Sequence, residues 1–298
     1  MAGPLITVGM TAFNVEDCIE RTIKSILAQT FSDWELIIVD DGSSDKTLEI
    51  LTSIQDPRVR VLPSDGKNLK IPARRNQTIE HAKSKFYAVM DADDMSHPLR
   101  FEKQINYLMS NPQIDIVGSA MCILDTNLKP AFKTAVSENH DDIFKNKFSC
   151  VNMANATIVA KTDWIKKWKY DPTVFRGEDQ ELWLRSEKQS RFANLPEPLY
   201  FCNELSYISM KKYYISQKFM AKVAWKYGSL ENGKLKAVNY VLQKYIKTGI
   251  YSLATVLGIR ETLIKRRYIP LTPEEKRNIE RALDEILAAK ISYKDRLR

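Results

Sequence analysis

The chain opens with short, wholly apolar runs separated by segments whose apolar residues return every three or four positions, and this alternation narrows the possible folds sharply. Leu5-Ile6-Thr7-Val8-Gly9-Met10 reads as a strand. Asn14 is placed to cap a following helix that carries Ile19, Ile23, Ile26 and Leu27 on one face. Glu35-Leu36-Ile37-Ile38-Val39 predicts a second strand, the stretch with Leu48, Ile50, Leu51 and Ile54 a second helix, and Val59-Arg60-Val61-Leu62 a third strand. Residues 73–84 then read as a helix and Phe86-Tyr87-Ala88-Val89-Met90 as a fourth strand. Strands that are apolar throughout, rather than at every second residue, belong to sheets covered on both faces. The expected fold is therefore α/β, with a mostly parallel central sheet and flanking helices.

Further along, a helix is expected over 100–109, a strand over 114–119, another over 154–160, and a helix opening within "GEDQELWLR" (177–185). "LPEPLYF" (195–201) reads as a turn into a last short strand, and the pattern beyond residue 206 is helical, basic and aromatic. Charge divides the chain at the same place. Residues 206–298 hold 20 Lys/Arg against 8 Asp/Glu, whereas residues 1–205 hold 25 against 29. The expected organisation is an acidic body, 1–205, with a basic helical C-terminal region, 206–298. Cys18, Cys122, Cys150 and Cys202 lack CxxC or metal-ligand spacing, so they are expected to be reduced, buried and inert, which suits the cytoplasm. The start of the chain has no secretory pattern. The uncharged run 248–259 is far short of the roughly 20 apolar residues of a spanning helix, so no membrane crossing is expected.

In parallel sheets ligands gather outside the carboxyl ends of the strands. Thr11, the pair Asp40 and Asp41, and the cluster Asp91, Asp93 and Asp94 all fall there. Carboxylates one residue apart at a strand end point the same way, and oxygen-only donors select Mg2+ or Mn2+, which complete their shells with water and substrate phosphates. A solvated Asp-rich turn would explain the same cluster without a ligand. No GxxxxGK[ST] loop and no GxGxxG occurs, which argues against an ATPase and a dinucleotide dehydrogenase. Asp41 can accept the imide N–H of a pyrimidine base, and Arg74 and Arg75 can hold a phosphate or stack on the base. Asp40-Asp41-Gly42-Ser43-Ser44-Asp45 also reads as a turn leading into a helix cap.

Five motifs occur in order: "TAFN", "ELIIVDDGSSDKT", "ARRNQTIEHAKSKFYAVMDADD", "HPLRFEKQINYLMSNPQIDIVGS" and "GEDQELWLR…FANLPEPLYF". Together they resemble family 2 of the glycosyltransferases, inverting enzymes of the GT-A fold, over roughly residues 4–205. The resemblance implies a Rossmann-like nucleotide-sugar-binding body, a Mn2+ or Mg2+ cofactor, and transfer of one sugar from a UDP-sugar to a glycan or lipid-linked acceptor. It implies that Thr11 and Phe13 line the base pocket, that Asp41 bonds the base and that Asp40 supports the loop. Arg75 would contact the nucleotide, Asp91 the ribose or a metal-bound water, and Asp93 the metal, with Asp91 and Asp94 as alternative ligands. Asp179 would be the general base, beside Glu178. An N-terminal helix carboxylate favoured by the helix dipole is the plainer reading of Asp179. The QxxRW signature of processive members is absent, so single-sugar transfer is expected. Asn155-Ala156-Thr157 and Phe201-Cys202-Asn203 replace commoner family patterns on the expected acceptor side.

Other residues read more simply. Glu181 is expected on the solvated side of its helix, and Trp183 is expected to pack behind the base or, less simply, to face the acceptor. His81 reads as a helix-surface residue, His97 as a turn residue and His140 as a helix start. The basic, apolar C-terminal stretch around "KTGIYSLATVLGIRETLIKRRY" suits a helix lying on an anionic membrane surface at the inner face of the cytoplasmic membrane. A helical subdomain packed on the body or against a second copy suits it equally. Two other functions fit parts of the chain. A nucleotidyltransferase also uses strand-end carboxylates, and a catalytically silent scaffold or nucleic-acid binder would use the basic tail; the acidic positions at the sheet edge argue against the latter.

Overall fold

The computed structural model describes residues 3–63, 65–203 and 210–294. The expected opening alternation is present: β1 (Ile6–Ala12), α1 (Ile19–Leu27), β2 (Trp34–Asp40), α2 (Thr47–Ser53), β3 (Val59–Leu62), α3 (Ile71–His81) and β4 (Phe86–Asp91). β1 is central and almost wholly buried, and it pairs in parallel with β2 on one side and β4 on the other. That register sets Thr11 beside both Val39 and Asp91, and Ala12 beside Asp40, so the polar residues end on one rim. α3 begins before residue 73 because Pro72 sits in its first turn, where a missing N–H costs nothing.

Asn14 is not a helix cap. It adopts a left-handed φ of 51°, and its Oδ1 accepts the Ser44 N–H at 2.8 Å, tying the end of β1 to the turn after β2. Helix α1 starts at Ile19 after Cys18, with no side-chain cap.

Next come β5 (Met95–Ser96), α4 (Arg100–Ser110), β6 (Ile116–Leu124), β7 (Pro130–Thr134), α5 (His140–Phe144), β8 (Val159–Lys161), α6 (Thr162–Trp168), α7 (Glu178–Ser186) and β9 (Phe192–Asn203). Among the described residues the sheet runs from β10 (Tyr268–Pro270) through β7-β6-β8-β4-β1-β2-β3, with β9 beside β6 and β5. β3, β2, β1 and β4 are parallel, while β8 pairs antiparallel with both β4 and β6. The strand expected over 154–160 divides into a 3-10 turn, Asn155–Thr157, and β8. Thr157 closes that turn: its Oγ1 donates to the Ala154 carbonyl at 2.8 Å and accepts the Ser119 N–H at 3.1 Å. The expected short strand near 195–201 is instead the twelve-residue β9. Its Pro196-Glu197-Pro198 segment is accommodated by a register shift, with Leu195 opposite Ser119 and Pro198 opposite Ala120.

The C-terminal region supplies α8 (Met210–Asn232), α9 (Lys234–Val256), α10 (Arg260–Lys265), β10 (Tyr268–Pro270) and α11 (Pro273–Ala288). β10 extends the sheet beyond β7, and Ile279, Leu283 and Ile286 of α11 pack with Met95, Leu124 and Phe201. Val223 of α8 enters the cluster containing Trp183 and Phe192, and Tyr240 of α9 stacks on Phe148 at 4.7 Å. α9 nevertheless leaves Leu235, Val238, Leu242, Ile246, Leu253 and Val256 exposed. No helix among the described residues is long and apolar enough to cross a membrane. All four cysteines are free; Cys122 is buried, Cys18 and Cys202 are half-buried, and Cys150 is exposed, because it lies within the irregular segment between α5 and the turn at 155–157.

The close packing of β1 on α3 leaves Gly9 no room for a side chain. A Cβ there would lie 1.9 Å from the buried Tyr87 hydroxyl and 2.7 Å from Thr78 Oγ1. Gly9→Ala is expected to destabilise the protein by about 1–3 kcal/mol through overpacking. Urea unfolding checks this, and an unchanged midpoint contradicts it.

Candidate active site at the carboxyl ends of the strands

The loops after β1 and β2 form one side of the site. Phe13 stands exposed just beyond β1, and Thr11 is half-buried at its end. Asp40 fastens its own loop: Oδ2 accepts the N–H groups of Gly42 and Ser43, both at 3.0 Å, and Oδ1 accepts the Ser43 hydroxyl. Gly42 is needed there, since it has a φ of 78° and an added Cβ would meet the Gly66 carbonyl at 2.8 Å.

Asp41 is buried, and its carboxylate gathers the 65–70 segment. Oδ1 accepts Leu69 N–H at 2.7 Å and Arg74 Nε at 2.8 Å, while Oδ2 accepts Lys70 N–H at 3.1 Å. Three donors on a carboxylate with about four acceptor positions leave one on Oδ2 for a further donor. Arg74 is therefore not available to stack on a base or hold a phosphate. It is buried and committed to Asp41, Asp65, Gln77 and the Lys67 carbonyl.

Arg75, one residue on, points to the other side of α3. Its two terminal nitrogens reach different elements, donating to Asp91 Oδ1 at the end of β4 and to Glu178 Oε1 at the start of α7, each at 2.8 Å. The guanidinium lies 5.5 Å from the Tyr170 ring. These two carboxylates keep it charged despite burial.

Asp93 and Asp94 are crowded next to Asp91. Burial first, and then the negative charge of Asp91, holds both carboxyls above the usual range, and Asp93 adds to the effect on Asp94. The Tyr200 hydroxyl accepts the Asp91 N–H at 3.2 Å and hydrogen-bonds Asp94, which offsets part of that shift. Arg21 of α1 also faces the cluster, and its buried Nε has no hydrogen-bond partner among the described residues. Beneath, the fully buried Arg100 donates to the carbonyls of Val89 at 3.0 Å and Ile158 at 3.1 Å. A crowded, all-oxygen set of carboxyls held above their usual range fits a hard divalent cation, whose charge would favour their ionised form. Among the described residues no three His, Cys, Asp or Glu side chains form a complete metal cage. Water and substrate oxygens would have to finish the shell.

The other side of the site is the start of α7. Gly177 takes a φ of 76° ahead of it. Glu178 turns to Arg75, whereas Asp179 accepts the Gln180 N–H at 2.8 Å and lines a cleft of about 1240 Å3 with Cys150, Asn152, Met153 and Arg267. Burial, followed by the neighbouring Glu178 charge, pushes the Asp179 carboxyl up to about 7.

Glu181 is not solvated. It is buried under α8, where it accepts from Arg185 at 3.0 Å and from the Tyr227 hydroxyl. Trp183 is wholly buried against Trp164 and Phe192 and does not reach the cleft. Asn155 is also buried and accepts the Tyr170 hydroxyl at 2.7 Å. His81 lies on the surface of α3, His97 precedes Pro98 in a turn, and His140 begins α5.

The sequence alone did not single out Arg21, Arg100, Tyr170 or Tyr200. Arg100 left a trace, being a cation among the core-facing Phe101, Ile105 and Leu108. The others come together only through tertiary packing.

Residues 7–157 match the family model for glycosyl transferase family 2. An uncharacterized glycosyltransferase of Methanocaldococcus jannaschii is 32% identical over 62% of this chain, a match that spans 65% of that relative's length. The O-antigen biosynthesis glycosyltransferase WbnJ of Escherichia coli is 33% identical over 65% of this chain and 78% of its own. The UDP-Glc:alpha-D-GlcNAc-diphosphoundecaprenol beta-1,3-glucosyltransferase WfgD, also of Escherichia coli, is 26% identical over 63% of this chain and 72% of its own. Two solved structures share the fold at low identity. S. aureus TarS 1-349 in complex with UDP has a TM-score of 0.59 at 16% identity, covering 95% of this chain and 80% of its own. The mannosyltransferase PcManGT of Pyrobaculum calidifontis, in complex with GDP-Man and Mn2+, has a TM-score of 0.58 at 14% identity, covering 97% of this chain and 86% of its own. With a family model matching just over half of its length, the chain belongs to glycosyl transferase family 2.

Proposed function

We propose that the protein transfers a single sugar from a UDP-sugar to a hydroxyl of a glycan or lipid-linked acceptor, with inversion, in the making of a bacterial surface polysaccharide. The observation that carries this reading is Arg75 bridging Asp91 and Glu178, with the acidic cluster beside Asp91 and the cleft-lining Asp179 beside Glu178. The relatives add weight: WbnJ is named for O-antigen biosynthesis, and WfgD for a UDP-sugar donor, a diphospholipid acceptor and a beta linkage.

In this reading Thr11 and Phe13 border the base, and the remaining acceptor position on Asp41 takes its imide N–H. Asp91 faces the ribose, and Arg75 contacts the nucleotide while keeping Asp91 in place. Asp93, with Asp91 or Asp94, would hold Mn2+ or Mg2+, and PcManGT was crystallised with Mn2+. When bound, the cation neutralises charge on the departing diphosphate. Asp179 removes the proton from the acceptor hydroxyl as that oxygen attacks the anomeric carbon from the face opposite the diphosphate. One displacement converts an α-linked donor into a β-linked product.

The division into a donor-binding body over 1–205 and an acceptor-side region over 206–298 is part of the proposal. So is attachment of the exposed α9 face to an anionic membrane at the cytoplasmic side, with pairing of two copies through that face as the other possibility. The apolar residues left exposed along α9 support both.

Asp93→Ala is expected to weaken Mn2+-dependent UDP binding by about tenfold or more, measured by calorimetry with and without the metal. Metal-dependent affinity equal to wild type contradicts the assignment. Asp179→Asn is expected to bind the donor normally and to lose about 10²–10⁴-fold in transfer. Because the base works only when ionised, the wild-type rate should rise with pH through about 7 and then level off. Normal transfer by Asp179→Asn, or a rate that falls across that range, removes Asp179 from its role.

A further inference from the structure

A group of cations lies at the edge of the cleft that holds Asp179. Helix α9 contains Lys234, Lys236, Lys244 and Lys247 and not one carboxylate. Lys244 is 5% exposed, and its ammonium donates only to the Ser149 carbonyl. Arg267, which follows α10, lines the cleft with Ser149, Cys150 and Asp179, and its guanidinium lies 4.9 Å from the Tyr251 ring. Lys247 lies three residues beyond Lys244 on α9, so the two share a helix face, and Lys244, Lys247, Arg267 and Asp179 all act electrostatically on Cys150.

The protein treats another buried lysine differently. Lys147 is matched by two carboxylates, Glu187 at 2.6 Å and Glu231 at 2.7 Å, and its pKa is raised. Lys244, Lys247 and Arg267 have no carboxylate in ion-pair reach among the described residues. Burial pulls Lys244 down to about 8, and Lys247 is lowered for the same reason. Glu138, Asp142 and Asp179 line the same cleft, but three cations with no carboxylate in ion-pair reach among the described residues, one of them nearly sealed from water, carry an electrostatic cost that an arriving anion would relieve.

We propose that Lys244, Lys247 and Arg267 form an anion subsite at the rim of the Asp179 cleft that holds a phosphate or diphosphate carried by the sugar acceptor. This rests on the proposed transfer reaction and extends it to the acceptor. The donor's diphosphate lies on the acidic-cluster side and must leave opposite the attacking oxygen. An anion held on the cleft side of Asp179 therefore belongs to the acceptor. Two lysines from one helix and an arginine from a separate segment suit a phosphate monoester or diphosphate, with the arginine able to bind two oxygens at once.

Titrating the full chain with inorganic pyrophosphate in EDTA tests the subsite, since the chelator removes the cation on which donor-side diphosphate binding depends. Wild type should bind, and Lys247→Gln/Arg267→Gln should bind at least about tenfold more weakly. Both substitutions lie on exposed or half-buried positions, and UDP binding with Mn2+ by the double variant confirms that it is folded. Equal pyrophosphate affinity in the two proteins, or no binding by wild type, overturns the subsite. Vesicles of phosphatidylglycerol and phosphatidylcholine, added to the same titration, should not displace pyrophosphate. Displacement would assign the cations to lipid headgroups and overturn the acceptor role. Failure of wild type to bind UDP would instead sink the transfer reaction and leave the anion result standing.

Discussion

Arg75 divides its guanidinium between carboxylates that belong to different parts of the chain, Asp91 at the end of β4 and Glu178 at the start of α7. The contact has two consequences. It fixes the entry of α7 against the sheet edge, so that the next residue, Asp179, faces the cleft. It also seats the Glu178 carboxylate beside Asp179, so that two adjacent carboxylates serve different ends: one is an ionic anchor, the other is raised by burial and by its neighbour's charge to about 7. Charge crowding at the strand ends is otherwise expensive. Arg75, the Tyr200 hydroxyl and the buried Arg100 beneath make it tolerable, and a divalent cation shared with a diphosphate would complete the compensation.

The adjacent Arg74 does unrelated work. It and Asp41 close the 65–70 segment over the end of β2, with Leu69 and Lys70 donating to the same carboxylate. This side of the site is thus held by a buried ion pair rather than by apolar packing. Consecutive arginines at the start of α3 serve opposite sides of the site because successive helix positions point about 100° apart.

The first four strands and their helices were legible because fully buried strands must be apolar throughout, and their ends place Thr11, Asp40 and Asp91 on adjacent positions of one rim. Boundaries set by hydrogen bonds across the chain were not legible. Asn14 resembles a cap until Ser44 is seen to donate to it, and β9 resembles a turn because its prolines hide a strand that continues past a bulge. Glu181 reads as solvated until α8 is placed over it. Composition suggested a basic appendage at the C-terminus, yet β10 joins the sheet and α11 joins the core, since long-range docking leaves little trace in local periodicity. Asp93 and Asp179 could be chosen from motif resemblance, whereas Arg21 and Tyr200 gain meaning only from the acidic residues they face.

The docked C-terminal helices also change what the basic residues mean. Spread along a free tail they would suggest a surface for nucleic acid or lipid; folded back, Arg267 lines the cleft of the candidate base and Lys244 bonds the carbonyl of Ser149 at its edge. The central claim remains the acidic cluster at the end of β4, and its most direct test is an anomalous difference map from crystals grown with Mn2+ and UDP. The account predicts a manganese peak within coordination distance of Asp93 and of the UDP diphosphate. Well-ordered UDP with no such peak, or a peak away from Asp91, Asp93 and Asp94, would contradict it.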